Sequence, residues 1–210
     1  RMGKIWEIAI KYWPMYLRGA GVTLYLSILG TVFGFIIGLL AGIIRSIPVP
    51  EDGWKRILLR AVNAILAVYI AIFRGTPMIV QAMVIYYGAA QAGFEMDRMA
   101  AGIMIVSINT GAYMAEIIRG GIISIDTGQF EAAQALGMNP VQTMTKVVLP
   151  QAIRNILPAI GNEFVINIKD TSVLNVISIT ELYFQTSTVA GIHFSFFGPF
   201  FIACILYFIM

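Results

Sequence analysis

The sequence predicts an all-α, polytopic membrane protein, and its composition is the first observation behind that prediction. Of the 210 residues, 59% are hydrophobic and 12% are charged, whereas about 25% of residues are charged in soluble domains. The mean hydropathy is +0.82, and several apolar runs approach the roughly 20 residues that a helix needs to span a bilayer. So few charges cannot cover a soluble surface. A soluble enzyme, a nucleic-acid-binding module and a disordered chain are therefore excluded, and we expect one transmembrane domain over residues 1–210.

Motifs for catalysis, nucleotide binding and metal binding are absent from the sequence. It contains no G-x-x-x-x-G-K-[ST], no H-E-x-x-H and no G-x-S-x-G. Its single histidine, His193, and its single cysteine, Cys204, exclude a histidine-cluster metal site and an internal disulfide. We therefore expect a chain that is not an enzyme and that holds no cofactor or metal of its own.

The N-terminal part begins with an interfacial segment and continues into a long apolar run. Residues 1–18 mix four basic residues with four aromatic rings, which is typical of a helix at the membrane surface. Residues 20–44 are nearly free of charge and long enough to span. Within this run, glycines recur every four residues and predict a smooth face for close helix packing: Gly30, Gly34, Gly38 and Gly42.

The middle of the chain alternates between polar turns and apolar runs. Residues 45–57 are expected to form a polar loop. Residues 58–74 fit either a span or an amphipathic segment near one membrane face, because they carry two arginines and an asparagine. Pro77 breaks the helix that precedes it. Residues 77–93 and 99–118 are expected to span the membrane.

Residues 119–149 form a long polar insert between apolar runs. Asp126 is suited to N-cap a helix, and Gly137 is suited to end that helix. Asn139 is suited to cap a second helix that has Pro140 at its first position. We therefore expect two short helices joined by a glycine turn, outside the bilayer.

The C-terminal part returns to apolar sequence. We expect a span over about residues 152–180, a polar and aromatic connection at 183–195, and a last span over 196–210. With 58–74 as a surface segment, five transmembrane helices result. The positive-inside rule then places 119–149 in the cytoplasm, because its side of the membrane carries eight basic residues and the opposite side carries two, Arg98 and Lys169. The eight residues on its side are Arg45, Lys55, Arg56, Arg60, Arg74, Arg119, Lys146 and Arg154. The basic N-terminal segment would then lie outside, which runs against the rule.

Polar residues inside the expected spans are the candidates for a substrate path, since a charge at mid-bilayer costs about 2.5–3.5 kcal/mol on insertion scales. Glu163, Asn167 and Asp170 are spaced i, i+4, i+7 and share one helix face. An earlier span repeats this spacing from Asn109. A zwitterionic amino acid needs an acceptor for its ammonium group, which Glu163 could supply, and donors for its carboxylate. The candidate substrate-binding residues are Gln81, Asn109, Asn162, Glu163, Asn167 and Asp170.

Two interpretations of these polar residues stay open. They either line a substrate path or form interhelical hydrogen bonds that hold the helices together. Asn109 and Gln81 fit both interpretations equally. Glu163 favours the path, because a lone acid is an expensive structural contact. Glu116 could instead extend to the membrane surface or pair with Arg119.

Residues 131–150 read E-A-A-Q-A-L-G-M-N-P-V-Q-T-M-T-K-V-V-L-P and closely resemble the EAA loop of the membrane subunits of ABC importers. Val147 stands where isoleucine is commoner in that loop. More narrowly, the segments 73–77, 115–121 and 167–172 are similar to the polar amino-acid permease subfamily. The likeness covers about residues 20–190. The positions that match the loop are Glu131, Ala132, Ala133, Gly137, Val147, Leu149 and Pro150.

This resemblance implies a fold, partners and a location. Such permeases look like five-span subunits, the transmembrane domain of a type I ABC importer, with the N-terminus outside the prokaryotic cytoplasmic membrane. They work as dimers of identical or different permeases. The EAA loop forms a coupling helix in a groove on a cytoplasmic ATPase dimer, which binds ATP and Mg²⁺. An extracytoplasmic binding protein delivers the amino acid. Membrane lipid, but not nucleic acid, is the remaining expected partner.

The residues of the insert fit a coupling role independently of the resemblance. Residues 127–136 predict a short amphipathic helix with Phe130 and Leu136 as anchors, and Gly137 allows a sharp exit. The candidate coupling residues are Phe130, Glu131, Ala132, Ala133, Leu136 and Gly137. The predicted function is the permease subunit of an ATP-driven importer of polar amino acids, with basic ones favoured by Glu163.

Two other functions remain as alternatives. An ion-coupled secondary amino-acid transporter would explain acidic residues near a broken helix, but it would not explain the EAA loop. A structural membrane subunit or channel would predict no saturable uptake after reconstitution with partners.

Overall fold

Helices account for nearly all of the chain that the computed structural model describes, which is residues 2–50 and 53–210, with side chains from residue 5 onward. No strand occurs within those two ranges, which confirms the predicted all-α class. Arg1, the side chain of Lys4, and the loop residues Glu51 and Asp52 lie outside the described residues. The helices are α1 (Met2–Ser46), α2 (Trp54–Gly75), α3 (Met78–Gln91), α4 (Arg98–Ile123), α5 (Thr127–Ala135), α6 (Pro140–Gln142), α7 (Leu149–Asp170), α8 (Leu182–His193) and α9 (Phe197–Ile209).

Two compact units divide the chain. The first unit contains the described residues up to Thr31 together with Thr76–Ser107 and Phe164–Met210. The second unit contains the described residues of Val32–Gly75 together with Ile108–Glu163. The helices α1, α4 and α7 contribute residues to both units.

The core of the first unit has two apolar clusters. One is built around Leu26 of α1, Ile105 of α4 and Leu174, all of which are fully buried. The other packs Tyr16 of α1 against Leu182 of α8, with residues of α9 at its edge. In this unit Gly30 lies against Val106 of α4.

The core of the second unit joins the end of α4 to the start of α7. Ile118, Ile122, Val148 and Ala152 are buried there. A smaller cluster packs Ile70 of α2 against α1 and α4.

The glycine face of α1 packs as predicted in the second unit. Gly34, Gly38 and Gly42 lie against Thr110, Met114 and Ile118, which are themselves spaced one turn apart on α4. A Cβ atom added at Gly38 would lie 2.8 Å from the carbonyl carbon of Met114 and 2.9 Å from the backbone nitrogen of Ala115. Small residues are therefore required at this contact, because the two backbones approach each other closely.

Three helices in the described part of the chain are long and apolar enough to cross a membrane: Ile5–Ser46, Trp54–Gly75 and Arg98–Ile123. The last of these was predicted to end at 118, whereas α4 continues for five more residues. Residues 58–74 belong to α2, whose length alone would allow a crossing. However, the carbonyl of Phe73 near its end accepts a bond from Asn109, near the middle of α4. This position favours the expectation that α2 starts near one membrane face and does not complete a crossing.

Two further differences from the sequence analysis concern shorter elements. The 14 residues of α3 are fewer than the about 20 that a full span needs, so the expectation that 77–93 crosses the membrane stays a prediction. Residues 183–195 were expected to be a connection, but they form most of α8. The sequence hid this helix because two of its polar residues, Gln185 and Thr186, are buried inside the first unit, so its polar pattern does not mark a solvent-facing side.

Candidate substrate path and coupling loop

The polar insert folds into the two capped helices that the sequence predicted. The side chain of Asp126 accepts a hydrogen bond from the backbone of Gly128 at 2.7 Å, and α5 follows. After α5, Gly137 has a φ of +74°, a conformation that side chains with a Cβ rarely adopt. Asn139 and Gln142 then form a reciprocal capping box at 2.9 and 3.0 Å. These local signals are strong because they depend on nearest neighbours along the chain.

The two expected anchors of α5 face different environments. Phe130 is half-buried and packs against the apolar cluster of the second unit, with Ile125 and Val148. Leu136 is 82% exposed. Phe130 therefore anchors α5 to its own chain, and a contact of its exposed part with a partner stays a prediction. Of the remaining coupling candidates, Ala133 is buried, whereas Glu131 and Ala132 are exposed.

The insert continues into the long helix α7 without a break in the helical backbone. Residues Thr143–Val148 form a π-helix that continues α6 directly into α7. Val148 is fully buried beside Ile118 of α4 and Ala152 of α7. The side-chain amide of Gln151 donates to Gln129 of α5 at 3.2 Å. A displacement of α5 would therefore be transmitted to α4 and α7 through packed side chains.

An ion cluster lies near the end of α4 that leads to the insert. Arg45 at the end of α1 forms an ion pair with Glu116 of α4. Arg119, one turn further along, lies 3.7 Å from the same carboxylate. The contact with Arg119 was one of the alternatives that the sequence left open. The pair with Arg45 was not predicted, because 71 residues separate Arg45 from Glu116.

The predicted polar face of α7 is partly buried. Glu163, in the second unit, is 8% exposed. Asn167, in the first unit, is 3% exposed, and its side-chain amide donates to the hydroxyl of Thr31 at 2.8 Å. Asn162 and Asp170 are exposed on this chain. The α-helix ends at Asp170 and continues as a 3-10 helix over Thr171–Ile177, close to the break that the sequence suggested at Lys169-Asp170.

Asn109 takes part in a set of contacts between α4 and the end of α2. Its side-chain amide donates to the carbonyl of Phe73 at 3.3 Å. The hydroxyl of Tyr69 donates to the carbonyl of Ile108 at 2.6 Å. The guanidinium of Arg74 lies 5.4 Å from the centroid of the Tyr113 ring, within cation–π range. These bonds support the interhelical interpretation of Asn109.

Gln81 also makes a structural contact. Its side-chain amide donates to both the carbonyl and the hydroxyl of Thr76, each at 2.9 Å. Thr76 precedes Pro77, where the helical hydrogen bonds are interrupted. Gln81 thus satisfies backbone and side-chain acceptors at the start of α3. Among the six candidates, Glu163 is the acid that is buried, whereas Asp170 is exposed.

Glu181 is a buried acid that the sequence analysis missed. It is fully buried in the first unit and N-caps α8, accepting from the backbone of Tyr183 at 2.6 Å and of Phe184 at 2.7 Å. The hydroxyl of Tyr207 donates to it at 3.3 Å. The position of this acid within apolar sequence could have marked it as a candidate. Its role as an N-cap, however, is visible only in the three-dimensional structure.

Comparison with known proteins places this architecture in a family. Residues 30–210 match the family of binding-protein-dependent transport system inner membrane components. The chain belongs to this family. It is therefore a membrane subunit of the ABC importer class, located in the inner membrane, and not an enzyme.

Individual relatives of this inner membrane component are amino-acid permeases. The glutamine transport system permease protein GlnP of Escherichia coli K12 is 40% identical over 183 residues, which cover 86% of this chain and 79% of that protein. The arginine transport system permease protein ArtQ of Bacillus subtilis 168 is 32% identical over 198 residues, which cover 94% of this chain and 86% of that protein.

Solved structures agree with the family assignment. A crystal structure of an amino acid ABC transporter with histidines matches with a TM-score of 0.81 and 36% identity, over 96% of this chain and 89% of that one. The MetNI methionine ABC transporter in an inward-facing conformation matches with a TM-score of 0.75, over 95% of this chain and 92% of that one. At 23% identity, the second likeness concerns the fold alone. The predicted fold class, an ABC importer transmembrane domain, is confirmed.

Proposed function

We propose that this chain is the permease subunit of an ATP-driven importer of polar amino acids, driven by a separate ATPase dimer that binds the residue 119–149 insert in the cytoplasm. The observation that carries the proposal is the construction of α5. One of its two apolar anchors packs inward and Leu136 projects outward. The next helix, α6, continues through the π-helix into α7. A docking element needs both an exposed apolar contact and a stiff connection.

The identity of the relatives supports the substrate class. Two relatives bear the names of glutamine and arginine transport permeases, and both amino acids have polar side chains. In this proposal Glu163 accepts the ammonium group of the substrate. The exposed amide of Asn162, the neighbouring residue in the second unit, is a donor for the carboxylate. A second permease chain and an extracytoplasmic binding protein complete the proposed importer.

Gly137→Asp tests the coupling. We expect substrate binding to the permease to survive while substrate-stimulated ATP hydrolysis by the reconstituted complex collapses, because the exit from α5 is strained and gains a charge. Gly53→Asp is the matched control, since Gly53 also has a positive φ, +90°, and open space around it, but lies outside the insert. Full stimulation in Gly137→Asp would contradict the coupling assignment.

The energy source is tested with the same proteoliposomes. Uptake should require ATP and the ATPase, and it should persist when proton and sodium gradients are collapsed. Uptake driven by an ion gradient without ATP would instead support a secondary transporter.

A further inference from the structure

A cleft of about 390 Å³ lies in the first unit, and neither the candidate substrate-binding residues nor the residues of the insert line it. Its lining includes two tyrosines, one acid, one base and the end of the 3-10 helix: Tyr86, Tyr87, Glu95, Arg98, Ile177 and Ser178. The volume falls within the range of about 300–1,000 Å³ that is typical of small-molecule sites.

The tyrosine wall of the cleft is held in place by specific contacts. The hydroxyl of Tyr87 donates to the carbonyl of Val176 at 3.2 Å. The rings of Tyr86 and Tyr87 are nearly perpendicular, with centroids 5.2 Å apart. Ser178 has a φ of +63° although it is not glycine, and its N–H caps the 3-10 helix by bonding to Asn175. Positions of this kind occur often at functional sites.

The charged rim of the cleft is set by the turn between α3 and α4. Gly93, with a φ of +84°, begins the turn, and Asp97 ends it by accepting from the backbone of Ala100 at 2.9 Å. Glu95 and Arg98 flank Asp97 in sequence and both border the cleft. Within the described part of the chain, neither side chain is engaged in an ion pair. The rim therefore presents one carboxylate and one guanidinium that are both available to a ligand.

Opposite charges beside aromatic rings match the chemistry of a free amino acid. A guanidinium is suited to bind an α-carboxylate, a carboxylate is suited to bind an α-ammonium group, and charge-assisted hydrogen bonds are the stronger class. Tyrosine faces attract a cation and also pack against an apolar stem. The small volume of the cleft and its one acid and one base match a small molecule that carries both charges.

We propose that this cleft is an outer subsite that binds the zwitterionic amino acid before it reaches the path at Glu163. The inference rests on the proposed function. If the insert that follows α4 is cytoplasmic and α4 crosses the membrane, the turn between α3 and α4 lies on the extracytoplasmic side. Arg98 binds the α-carboxylate, Glu95 binds the α-ammonium group, and the two tyrosines cover the side chain.

Thiol protection tests the subsite in the reconstituted importer. Cys204, the single cysteine, is replaced in Cys204→Ser, and Ala90→Cys then introduces one thiol in the lining of the cleft. A membrane-impermeant maleimide is added from the outside, with and without L-glutamine. We expect glutamine to slow labelling at least threefold, and N-acetyl-L-glutamine, which lacks the ammonium charge, to have little effect.

Charge variants make the assignment specific. Arg98→Gln and Glu95→Gln should abolish protection by glutamine. Arg18→Gln and Glu7→Gln should retain it, because those exposed residues belong to α1 and do not line the cleft. Protection that persists in Arg98→Gln would overturn the proposal, as would equal labelling rates with and without glutamine. Protection by the binding protein alone would also overturn it, in favour of protein docking.

ATP-driven uptake by the Cys204→Ser background separates this proposal from the proposed function. Intact ATP-driven uptake combined with an unprotected cleft rejects the subsite alone. Absence of ATP-driven uptake rejects the proposed function.

Discussion

Arg45, at the end of α1, forms an ion pair with Glu116 of α4. Arg119 approaches the same carboxylate at 3.7 Å, so one acid serves two guanidinium groups. This cluster lies on the last turns of α4 before the insert. It therefore holds the end of α1 to the helix that leads directly into α5.

Removing the shared acid should destabilise the second unit. Glu116→Gln leaves two like charges close together without a counter-ion. We expect a loss of about 1–3 kcal/mol in the free energy of unfolding, between the values for exposed and buried pairs, because the Arg45 and Glu116 side chains are 20% and 27% exposed. Thermal unfolding of the purified chain measures this loss. Arg45→Gln and the double variant complete a double-mutant cycle, and strictly additive losses would contradict the pairing.

The different environments of Leu136 and Phe130 predict separate effects. Leu136→Asp should change stability by less than about 0.5 kcal/mol, since surface substitutions are usually this small, but should abolish ATPase stimulation. Phe130→Ala should lower the free energy of unfolding by about 1–3 kcal/mol, less than for a fully buried phenylalanine. Unfolding curves and ATPase assays on the same preparations measure both effects. Normal stimulation in Leu136→Asp would place the partner contact elsewhere.

Glu163→Gln tests the substrate path. The change removes the negative charge and keeps the shape of the side chain, so we expect uptake of cationic amino acids to fall more than uptake of neutral ones. Uptake of labelled arginine and of labelled glutamine by the reconstituted complex gives the ratio of cationic to neutral amino-acid transport. Glu7→Gln, on α1 and outside the candidate substrate-binding residues, is an exposed-acid comparison. Unchanged kinetics for both substrates in Glu163→Gln would move the substrate site away from this residue.

The glycine face of α1 offers a matched pair of substitutions. Gly38→Ala should destabilise the chain, because its Cβ would lie 2.8–2.9 Å from backbone atoms of Met114 and Ala115. Gly21→Ala should be neutral or stabilising by up to about 1 kcal/mol, because nothing lies within 4 Å of its added Cβ. Thermal unfolding of the two variants measures the contrast. Equal effects would show that α1 and α4 do not pack closely at Gly38.

The sequence predicted those features that depend on composition or on neighbouring residues. Low charge and long apolar runs indicated a helical membrane protein, because the bilayer leaves few alternatives for backbone hydrogen bonds. The caps at Asp126 and Asn139 and the turn at Gly137 were predictable because each depends on residues within one helical turn. The spacing of Gly30, Gly34, Gly38 and Gly42 similarly predicted a packing face.

Only the tertiary structure decided which distant groups meet and which polar faces are buried. It paired Arg45 with Glu116, turned Phe130 inward and left Leu136 outside, and it formed α8 from a segment whose pattern indicated a connection. Glu181 acquired its two backbone donors and the Tyr207 hydroxyl in the same way. The physical reason is that these contacts depend on how helices pack side by side, and the spacing of residues along one helix does not specify its neighbour.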